Sequence, residues 1–248
     1  MSRPTQPSTV LLDHDGPVTL LKLNRPEKLN AFNFSIVEQA ISGVAEAEDR
    51  GSRILVISGE GRTFSAGFDL SDLGQSSDGD LMLRLVRIEI LLQAILATPM
   101  TTLAFVHGKC FGAAADLFCM CDHRIAAPDS TFRFPGLRFG AVLGTRRLAC
   151  LIGPDNARKV LESSMVIDLE KANSFGMVHS SIPRDQWPDV VNRQAEAACV
   201  LSHIAQKSML KNTRIKSDDG DMVELVRSVS IPGLVERIVD FSRDGRSL

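Results

Sequence analysis

The 248-residue chain contains the stretch GKCFGAAADLFCMCD at residues 108–122, and this stretch decides the fold. The apolar run TTLAFVH (101–107) leads into it, Gly108 and Gly112 follow, and the helix-forming AAADLFCM (113–120) comes next. The pattern predicts a strand, a glycine-bearing turn and a helix N-terminus. The first N–H groups of a helix lack partners within the helix and lie at the positive end of its dipole, so they stabilise a negative oxygen.

A second turn of the same kind lies upstream, in FSAGFDL at residues 64–70. The run SRILVISG (52–59) before it is apolar without alternation, as expected for a strand of a parallel sheet that is covered on both faces. We expect the two turns together to hold one oxygen atom of a substrate. The alternative is that the segment from Gly112 to Ala115 is only a tightly packed strand-to-helix turn.

Strand-like and helix-like segments alternate along the first half of the chain. Strands are predicted at residues 18–26, 52–59, 101–108 and 123–128, and helices at 33–51 and 81–97. This order indicates right-handed parallel crossovers and an α/β fold. At the start of the first helix, Ser35 and Glu38 form a capping-box pattern, and Phe34 is placed for a hydrophobic staple.

The two ends of the chain are predicted from composition and helix signals. Residues 1–9 read as a disordered leader, because they are polar and contain proline. From Gln186 onward we expect three helical stretches, broken near Gly220 and Pro232. The long C-terminal helical part should therefore differ in architecture from the α/β part before it.

Composition narrows the classes of partner and site. Hydrophobic residues make up 44% and the formal net charge is −2, so neither nucleic acid nor an anionic membrane is an expected partner. The sequence contains no G-x-G-x-x-G, Walker A, G-x-S-x-G or H-E-x-x-H motif, and no metal is expected. The five cysteines form no C-x-x-C pair, which favours small buried hydrophobes in a reducing cytoplasm; a catalytic thiol at Cys110 is the alternative.

Four segments resemble the signatures of the crotonase superfamily, the enoyl-CoA hydratase/isomerase group. In family order they are NRPEKLNAFN (24–33), RTFSAGFDL (62–70), VHGKCFGAAADLFCMCDHRIAA (106–127) and IDLEKANSFGMVHSSIP (167–183). The resemblance covers roughly residues 15–185. It implies a ββα spiral core over residues 1–190 and a C-terminal helical, trimerisation-type region over 191–248. It also implies a homotrimer or a dimer of trimers.

The same resemblance implies a coenzyme A thioester substrate, with coenzyme A as part of the substrate and no separate cofactor. The amides of Phe68 and Ala113 would bind the thioester oxygen as an oxyanion hole. The positions implied to bind substrate are Ala66, Gly67, Phe68, Asp69, Leu70, Gly112, Ala113 and Gly136. Asp69 has a structural cap as its alternative role. Arg25 and Lys28 lie where cations could meet CoA phosphates, or they are solvated surface charges.

The chain departs from the family at the catalytic carboxylates. Family hydratases use two glutamates around one water, whereas this chain has Asp116 and Gly136 at the matching positions. Hydration with two carboxylates is therefore disfavoured, because glycine has no proton to transfer. Asp116 is either a single acid/base or a helix residue bonded to nearby backbone. Arg133 or Arg138, which flank Gly136, is placed to pair with a substrate carboxylate or with Asp116.

Two functional hypotheses follow from these residues. The first is an acyl-CoA enzyme of fatty-acid metabolism that performs double-bond isomerisation, weak hydration, or C–C or hydrolytic lyase chemistry with Asp116. The second is a non-catalytic CoA-thioester-binding or assembly protein that lost its second carboxylate at Gly136. We also expect that Gly136→Glu raises hydratase activity if the backbone is otherwise like that of the family.

Overall fold

The computed structural model describes residues 8–216 and 219–244. Within these ranges the strands are β1 (Val10–Asp15), β2 (Val18–Leu23), β3 (Ile54–Gly59), β4 (Thr101–Val106), β5 (Lys109–Phe111), β6 (His123–Ala126), β7 (Thr131–Arg133), β8 (Ile167–Asp168) and β9 (Ser180–Ser181). The helices are α1 (Phe34–Asp49), α2 (Asp78–Ala97), α3 (Ala113–Met120), α4 (Thr145–Ile152), α5 (Pro154–Ser163), α6 (Leu169–Ser174), α7 (Trp187–Val200), α8 (His203–Thr213), α9 (Asp219–Val229) and α10 (Leu234–Arg243).

The larger sheet has six strands in the order β1-β2-β3-β4-β6-β9. Strand β1 is antiparallel to β2, and the remaining pairs are parallel. Strand β4 is buried along its whole length, including its first two residues, Thr101 and Thr102, as predicted for a strand that is covered on both faces. The α1, α2 and α3 helices pack on one face, whereas α7 covers the other through Val190 and Trp187. The predicted α/β class is confirmed.

A smaller sheet in the order β5-β7-β8 lies beside the first turn of α3. Its strands contain two or three residues, so they carry no hydrophobic period that a sequence pattern could reveal. A parallel bridge joins Ser65 to Cys110 of β5. The bridge brings the FSAGFDL turn next to the turn that precedes α3, and this contact builds the candidate site.

The predicted helix over 33–51 is confirmed, but its capping box is wrong. Asn33 caps α1, because its side chain accepts a hydrogen bond from Ile36 N at 2.9 Å. Ser35 bonds Gln39 instead, and Phe34 is exposed rather than packed as a staple. Positions 1–7 of the predicted disordered leader lie outside the described residues. The prediction of disorder is wrong for Thr9, whose amide donates a hydrogen bond to Gln39.

The C-terminal part forms four helices, α7 to α10, within the described ranges, rather than the predicted three. The predicted break near Gly220 is confirmed, because α8 ends at Thr213 and α9 begins at Asp219. Ser202 begins α8 by accepting a hydrogen bond from Ala205 N at 3.2 Å, which breaks the chain where no glycine or proline signals it. The predicted break near Pro232 is confirmed between α9 and α10.

Helices α9 and α10 fold back onto α2 and bury a shared apolar cluster that includes Leu81, Leu225 and Ile238. The Asp78 carboxylate caps α10 by accepting hydrogen bonds from Gly233 N and Val235 N, both at 2.8 Å. Phe241 of α10 lines the same cavity as Ala113, the first residue of α3. The predicted division at 190/191 falls within α7, and the division into two domains stays a prediction.

Candidate active site

A cavity of about 70 Å³ lies where the two predicted turns meet. Its volume suits several water molecules or a short acyl group. The predicted site residues in its lining are Ala66, Phe68, Leu70, Gly112, Ala113, Asp116 and Gly136. The lining does not include Gly67 or Asp69. The sequence motifs thus converge on one cavity, with two of their members behind its wall.

Glycine at position 67 allows the two turns to touch. Gly67 has a φ of +85°, and a Cβ built on it would lie 2.3 Å from the carbonyl oxygen of Phe111. Main-chain hydrogen bonds hold the segments side by side, from Ser65 N to Lys109 O at 3.0 Å and from Phe111 N to Ser65 O at 3.1 Å. A side chain at this position would separate the turns, so both the backbone conformation and the space require glycine.

Two main-chain amides in the cavity wall have no protein acceptor. Neither Phe68 N nor Ala113 N donates a hydrogen bond to any residue in the ranges 8–216 and 219–244. Ala113 is the first residue of α3, where an N–H has no intrahelical acceptor. Gly112 before it has a φ of +53°, and its own amide donates to Arg133 O at 2.7 Å. Both amides therefore remain available to an oxygen of a ligand.

Asp116 lies one turn into α3 and its residue is only 7% exposed. Its carboxyl group makes no hydrogen bond or ion pair with another residue that the structure describes. The predicted alternative, a carboxylate bonded to nearby backbone, is therefore not what the structure has. Burial raises the pKa of Asp116 from 3.8 to about 8, Arg147 opposes the rise, and Glu89 adds to it. At neutral pH the carboxyl is thus mostly protonated.

Glu89 of α2 and Arg147 of α4 form a buried ion pair next to this carboxyl. Both residues are at most 1% exposed, and Arg147 Nη1 donates to Glu89 Oε1 at 3.0 Å. Sequence reasoning missed the pair. The available signal was a lone glutamate within the apolar run RIEILLQAIL of α2. Because a buried charge is costly without a partner, each of these two side chains needs the other in the interior.

Gly144 lies against the Asp116 carboxyl, so a side chain at position 144 is expected to destabilise the folded protein. Gly144 has a φ of +65°, and a Cβ built on it would lie 2.2 Å from Asp116 Oδ1. We expect Gly144→Ala to lower the free energy of unfolding by about 1–3 kcal/mol through backbone strain alone, and to displace the carboxyl as well. Denaturant unfolding and turnover measure the two effects.

Gly176→Ala is the matched control for this variant. Gly176 also has a positive φ, +71°, but nothing lies within 4 Å of its added Cβ. It should therefore show the backbone cost without loss of turnover. Equal behaviour of the two variants in both measurements would contradict a role for the close contact between Gly144 and Asp116.

Gly136 also lines the cavity but has no space for a side chain. A Cβ built on it would lie 2.9 Å from the carbonyl oxygen of Ala141, which belongs to the loop closing over it. Ala141 N in turn donates to Gly136 O at 2.9 Å. This crowding opposes the Gly136→Glu hypothesis, whose condition is a backbone otherwise like that of the family, and the hypothesis stays a prediction. The variant would first have to move the Ala141 carbonyl.

Asp69 lies behind the cavity wall and is engaged by other residues. Its carboxylate pairs with Arg25 and accepts a hydrogen bond from Ser71 N at 2.9 Å. Burial raises its pKa, but the bonds from Ser71 and Arg25 outweigh burial and hold the pKa below the ordinary value. These contacts fit the structural alternative for Asp69. Arg25 is likewise tied to the protein, whereas Lys28 is exposed.

Arg133 and Thr145 complete the polar part of the cavity. Thr145 was not anticipated; its Oγ1 is buried and has no hydrogen-bond partner among the described residues. Arg133 was predicted to pair with Asp116 or with a substrate carboxylate. Within the described residues it forms no ion pair with Asp116. Arg138 is exposed and lies outside the lining. Among the residues that the structure describes, the cavity lining thus contains one acid, one cation and one hydroxyl group without a partner.

The cysteines are all unpaired by disulfides in the described ranges. The prediction of buried cysteines is confirmed for Cys110, Cys119 and Cys121. It is wrong for Cys150 and Cys199, which are exposed. Burial raises the pKa of the Cys110 thiol well above its ordinary value, which leaves it a poor nucleophile. Across residues 8–216 and 219–244, no cluster of His, Cys, Asp and Glu suits a metal ion, and no helix could cross a membrane.

Comparisons with known proteins agree with the motifs. Residues 13–221 match the sequence profile of the enoyl-CoA hydratase/isomerase family. The "Probable enoyl-CoA hydratase echA6" of Mycobacterium tuberculosis is 32% identical over 210 residues, 84% of this chain and 82% of that protein. Human ethylmalonyl-CoA decarboxylase is 32% identical over 229 residues, 82% of this chain and 74% of that protein.

A solved structure shows the same fold. The crystal structure of a candidate enoyl-CoA hydratase/isomerase from Bordetella parapertussis superposes with a TM-score of 0.92 at 41% identity, covering 94% of this chain and 98% of that one. The enoyl-CoA hydratase from Bacillus halodurans superposes with a TM-score of 0.83 at 19% identity. Because the profile spans most of its length and relatives above 30% identity match most of it, the chain belongs to the enoyl-CoA hydratase/isomerase family of the crotonase superfamily.

Proposed function

We propose that this chain is an enzyme that processes acyl-CoA thioesters through an enolate, with Asp116 as its single proton-transferring group. One observation carries the proposal: two unpaired amides and one unpartnered, buried carboxyl group line the same small cavity. A non-functional turn would be expected to satisfy or expose these groups, because buried polar groups without partners are costly. The names of the relatives support a CoA thioester as the substrate class.

Phe68 N and Ala113 N would form the oxyanion hole. A thioester oxygen that accepts from both amides gains more from them as an enolate than as a neutral carbonyl, because charge has moved onto it. The dipole of α3 adds to this effect, since Ala113 is its first residue. The methyl group of Ala113 does not interfere with the amide, so the departure from the glycine of other family members leaves the donor intact.

Asp116 would act mainly as an acid. Because its pKa is about 8, it carries a proton at neutral pH and can deliver that proton to the α carbon of an enolate. A reaction that starts by proton abstraction, such as double-bond isomerisation, uses the minor ionised form. Hydration needs a second carboxylate, and position 136 offers none. Lyase chemistry, in which a C–C bond breaks and the enolate is then protonated, is therefore the best match.

The experiment that tests this function is turnover of a panel of acyl-CoA thioesters in D₂O, followed by mass spectrometry of the products. An enzyme that protonates an enolate should place one deuterium on the α carbon of its product. Saturated thioesters should also exchange an α hydrogen slowly, at a rate that depends on Asp116. A folded protein that neither converts nor exchanges any thioester, yet binds CoA esters, would support the non-catalytic alternative that Gly136 suggests.

We also propose the family-type assembly, a homotrimer or dimer of trimers, in the cytoplasm. Val200 at the end of α7 and Ile204 in α8 are 85% and 83% exposed, an unusual state for large apolar side chains. Contacts between subunits would remove them from water. The molar mass in solution by light scattering tests this part of the proposal independently of activity.

A further inference from the structure

We infer that the Arg133 guanidinium binds a carboxylate on the acyl group, which makes the substrate a CoA thioester of a short dicarboxylic acid with its free carboxylate on C2. The inference rests on the proposed function, since it assumes that the thioester lies in the cavity. It names the substrate class that the enolate site would use. The argument comes from the position, the free donors and the charge of Arg133.

The backbone holds Arg133 close to the amide site. Arg133 is the last residue of β7, and its carbonyl accepts the Gly112 amide at 2.7 Å, so it lies directly beside the turn that opens α3. Its side chain lines the same cavity as Ala113 and Asp116, and the residue is 7% exposed. A ligand whose thioester oxygen meets Ala113 N would therefore lie near the guanidinium.

The terminal nitrogens of Arg133 are free among the residues that the structure describes. Nε donates to Ser164 O at 2.8 Å, and the guanidinium carbon lies 5.8 Å from the centre of the Phe241 ring. Nη1 and Nη2 make no hydrogen bond there, and no carboxylate forms an ion pair with the side chain. One bond orients the fork, while the other edge of it remains available for bidentate binding of a planar anion.

The other buried arginines show that this state is unusual in the protein. Arg147 pairs with Glu89. Arg124 uses all three nitrogens, on two carbonyls and a histidine ring. Arg53 donates to a glutamine and two carbonyls.

Arg133 differs from these arginines in having only one hydrogen-bond acceptor in the described ranges; like Arg124 and Arg53, it has no carboxylate partner there. Burial and the nearby Arg138 lower its pKa, but a guanidinium stays charged at neutral pH. Nη1 and Nη2 are not among the fully buried nitrogens that lack a partner, so they are accessible in the cavity that Arg133 lines, where an anionic ligand would pair with them.

A carboxylate on the acyl group fits this position better than a CoA phosphate. The cavity of about 70 Å³ is close to the amides and to Asp116, where the reacting carbons would lie. A phosphate of the nucleotide part would need a wide entrance and exposed cations. The small volume also favours a carboxylate attached next to the thioester over one at the far end of a long chain. The structure thus points to a 2-carboxyacyl thioester.

The reaction of such a substrate is balanced without any further reactant. The bond between C2 and its carboxylate breaks, CO₂ leaves, and the electron pair moves into the thioester as an enolate held by Phe68 N and Ala113 N. The Asp116 proton then passes to C2, and solvent returns a proton to Asp116. Arg133 would act by orienting the carboxylate out of the thioester plane, where the breaking bond can overlap with the carbonyl.

Binding of a matched pair of thioesters tests the inference. Methylmalonyl-CoA and propionyl-CoA differ only by the carboxylate, and titration calorimetry measures both on Asp116→Asn protein, in which turnover should be slower by about 100- to 10,000-fold. We expect Arg133→Met to weaken methylmalonyl-CoA binding by about 10- to 100-fold and propionyl-CoA binding by less than about 3-fold. Arg133→Lys, which keeps the charge and loses the fork, should lie between. Arg138→Met is the control and should change neither.

Two outcomes would overturn the inference. One is equal affinity of the unsubstituted Arg133 protein for both thioesters; the other is an equal loss for both in Arg133→Met and Arg133→Lys. If neither variant folds, the affinity ratio in Asp116→Asn protein decides alone. These results are separable from the proposed function, because propionyl-CoA has no carboxylate on its acyl group, so its α-hydrogen exchange by the protein with Asp116 intact does not need Arg133. If the protein exchanges the α hydrogen of propionyl-CoA but does not bind methylmalonyl-CoA more tightly, the enolate site is supported and the assignment of Arg133 is wrong.

Discussion

Asp116→Asn is expected to reduce turnover and α-hydrogen exchange by about 100- to 10,000-fold, because asparagine keeps the shape of the side chain and cannot transfer the proton. Asp116 is the only carboxyl group in the cavity lining, as far as the described residues show. No second acid is thus placed to take over its role. Initial rates with the best thioester of the panel measure the effect.

The pH dependence of kcat/KM shows whether Asp116 acts as a general acid or as a general base. A general acid works in its protonated form, which is present below its pKa of about 8 and lost above it. Turnover should therefore be constant near neutral pH and fall as the pH rises through about 8. A general base would give the opposite limb, with activity appearing as the pH rises. A rise in rate across this range would contradict the acid role.

Stability separates this catalytic effect from unfolding. The pKa of Asp116 is about 8 in the folded protein against an ordinary value of 3.8. The folded state therefore binds this proton more tightly, and stability decreases as the pH rises from about 4 to about 8. Asp116→Asn removes that dependence, so at pH 9 it should unfold at a higher temperature than the unmodified protein. Loss of activity together with a gain in alkaline stability would indicate a chemical role.

Ala113→Pro is expected to reduce turnover by about 100- to 1,000-fold, the usual cost of one oxyanion donor. Proline has no N–H, and its ring would occupy the position from which the Ala113 amide donates. Ala113 is the first residue of α3, where proline is well tolerated in helices. Gly112 before it lacks a Cβ that could clash with the ring. The variant should therefore fold, which circular dichroism and thermal unfolding can verify.

Ala113→Gly is the matched control, because it keeps the amide and removes only a methyl group. It should retain turnover within a few-fold, and it restores the residue type that is common in the family. Similar losses in the proline and glycine variants would assign the effect to the Ala113 side chain or to packing. Full activity of a folded Ala113→Pro protein would remove this amide from the mechanism.

The motifs and their order could be predicted from the sequence, because they depend on short-range geometry. A strand, a glycine with positive φ and a helix start are set by residues within a few positions, and the turn at Gly112 follows that rule. The motifs, in their order, made the resemblance to the crotonase superfamily evident. That resemblance, rather than local geometry, then implied the amides of Phe68 and Ala113 and the acid position at Asp116. Short strands such as β5 and caps such as Asn33 were missed, because their local signals are weak or compete.

Only the tertiary structure decided the properties that depend on residues distant in sequence. The pKa of Asp116 comes from burial and from Glu89 and Arg147, which lie on two other helices. Nη1 and Nη2 of Arg133 are free because the described residues around the side chain offer it one acceptor, Ser164 O, which binds Nε. Desolvation and charge pairing sum over all neighbours in space, whereas a sequence pattern records only neighbours along the chain. The sequence therefore determined which groups are present and the turns that display them, and folding decided their protonation and their partners.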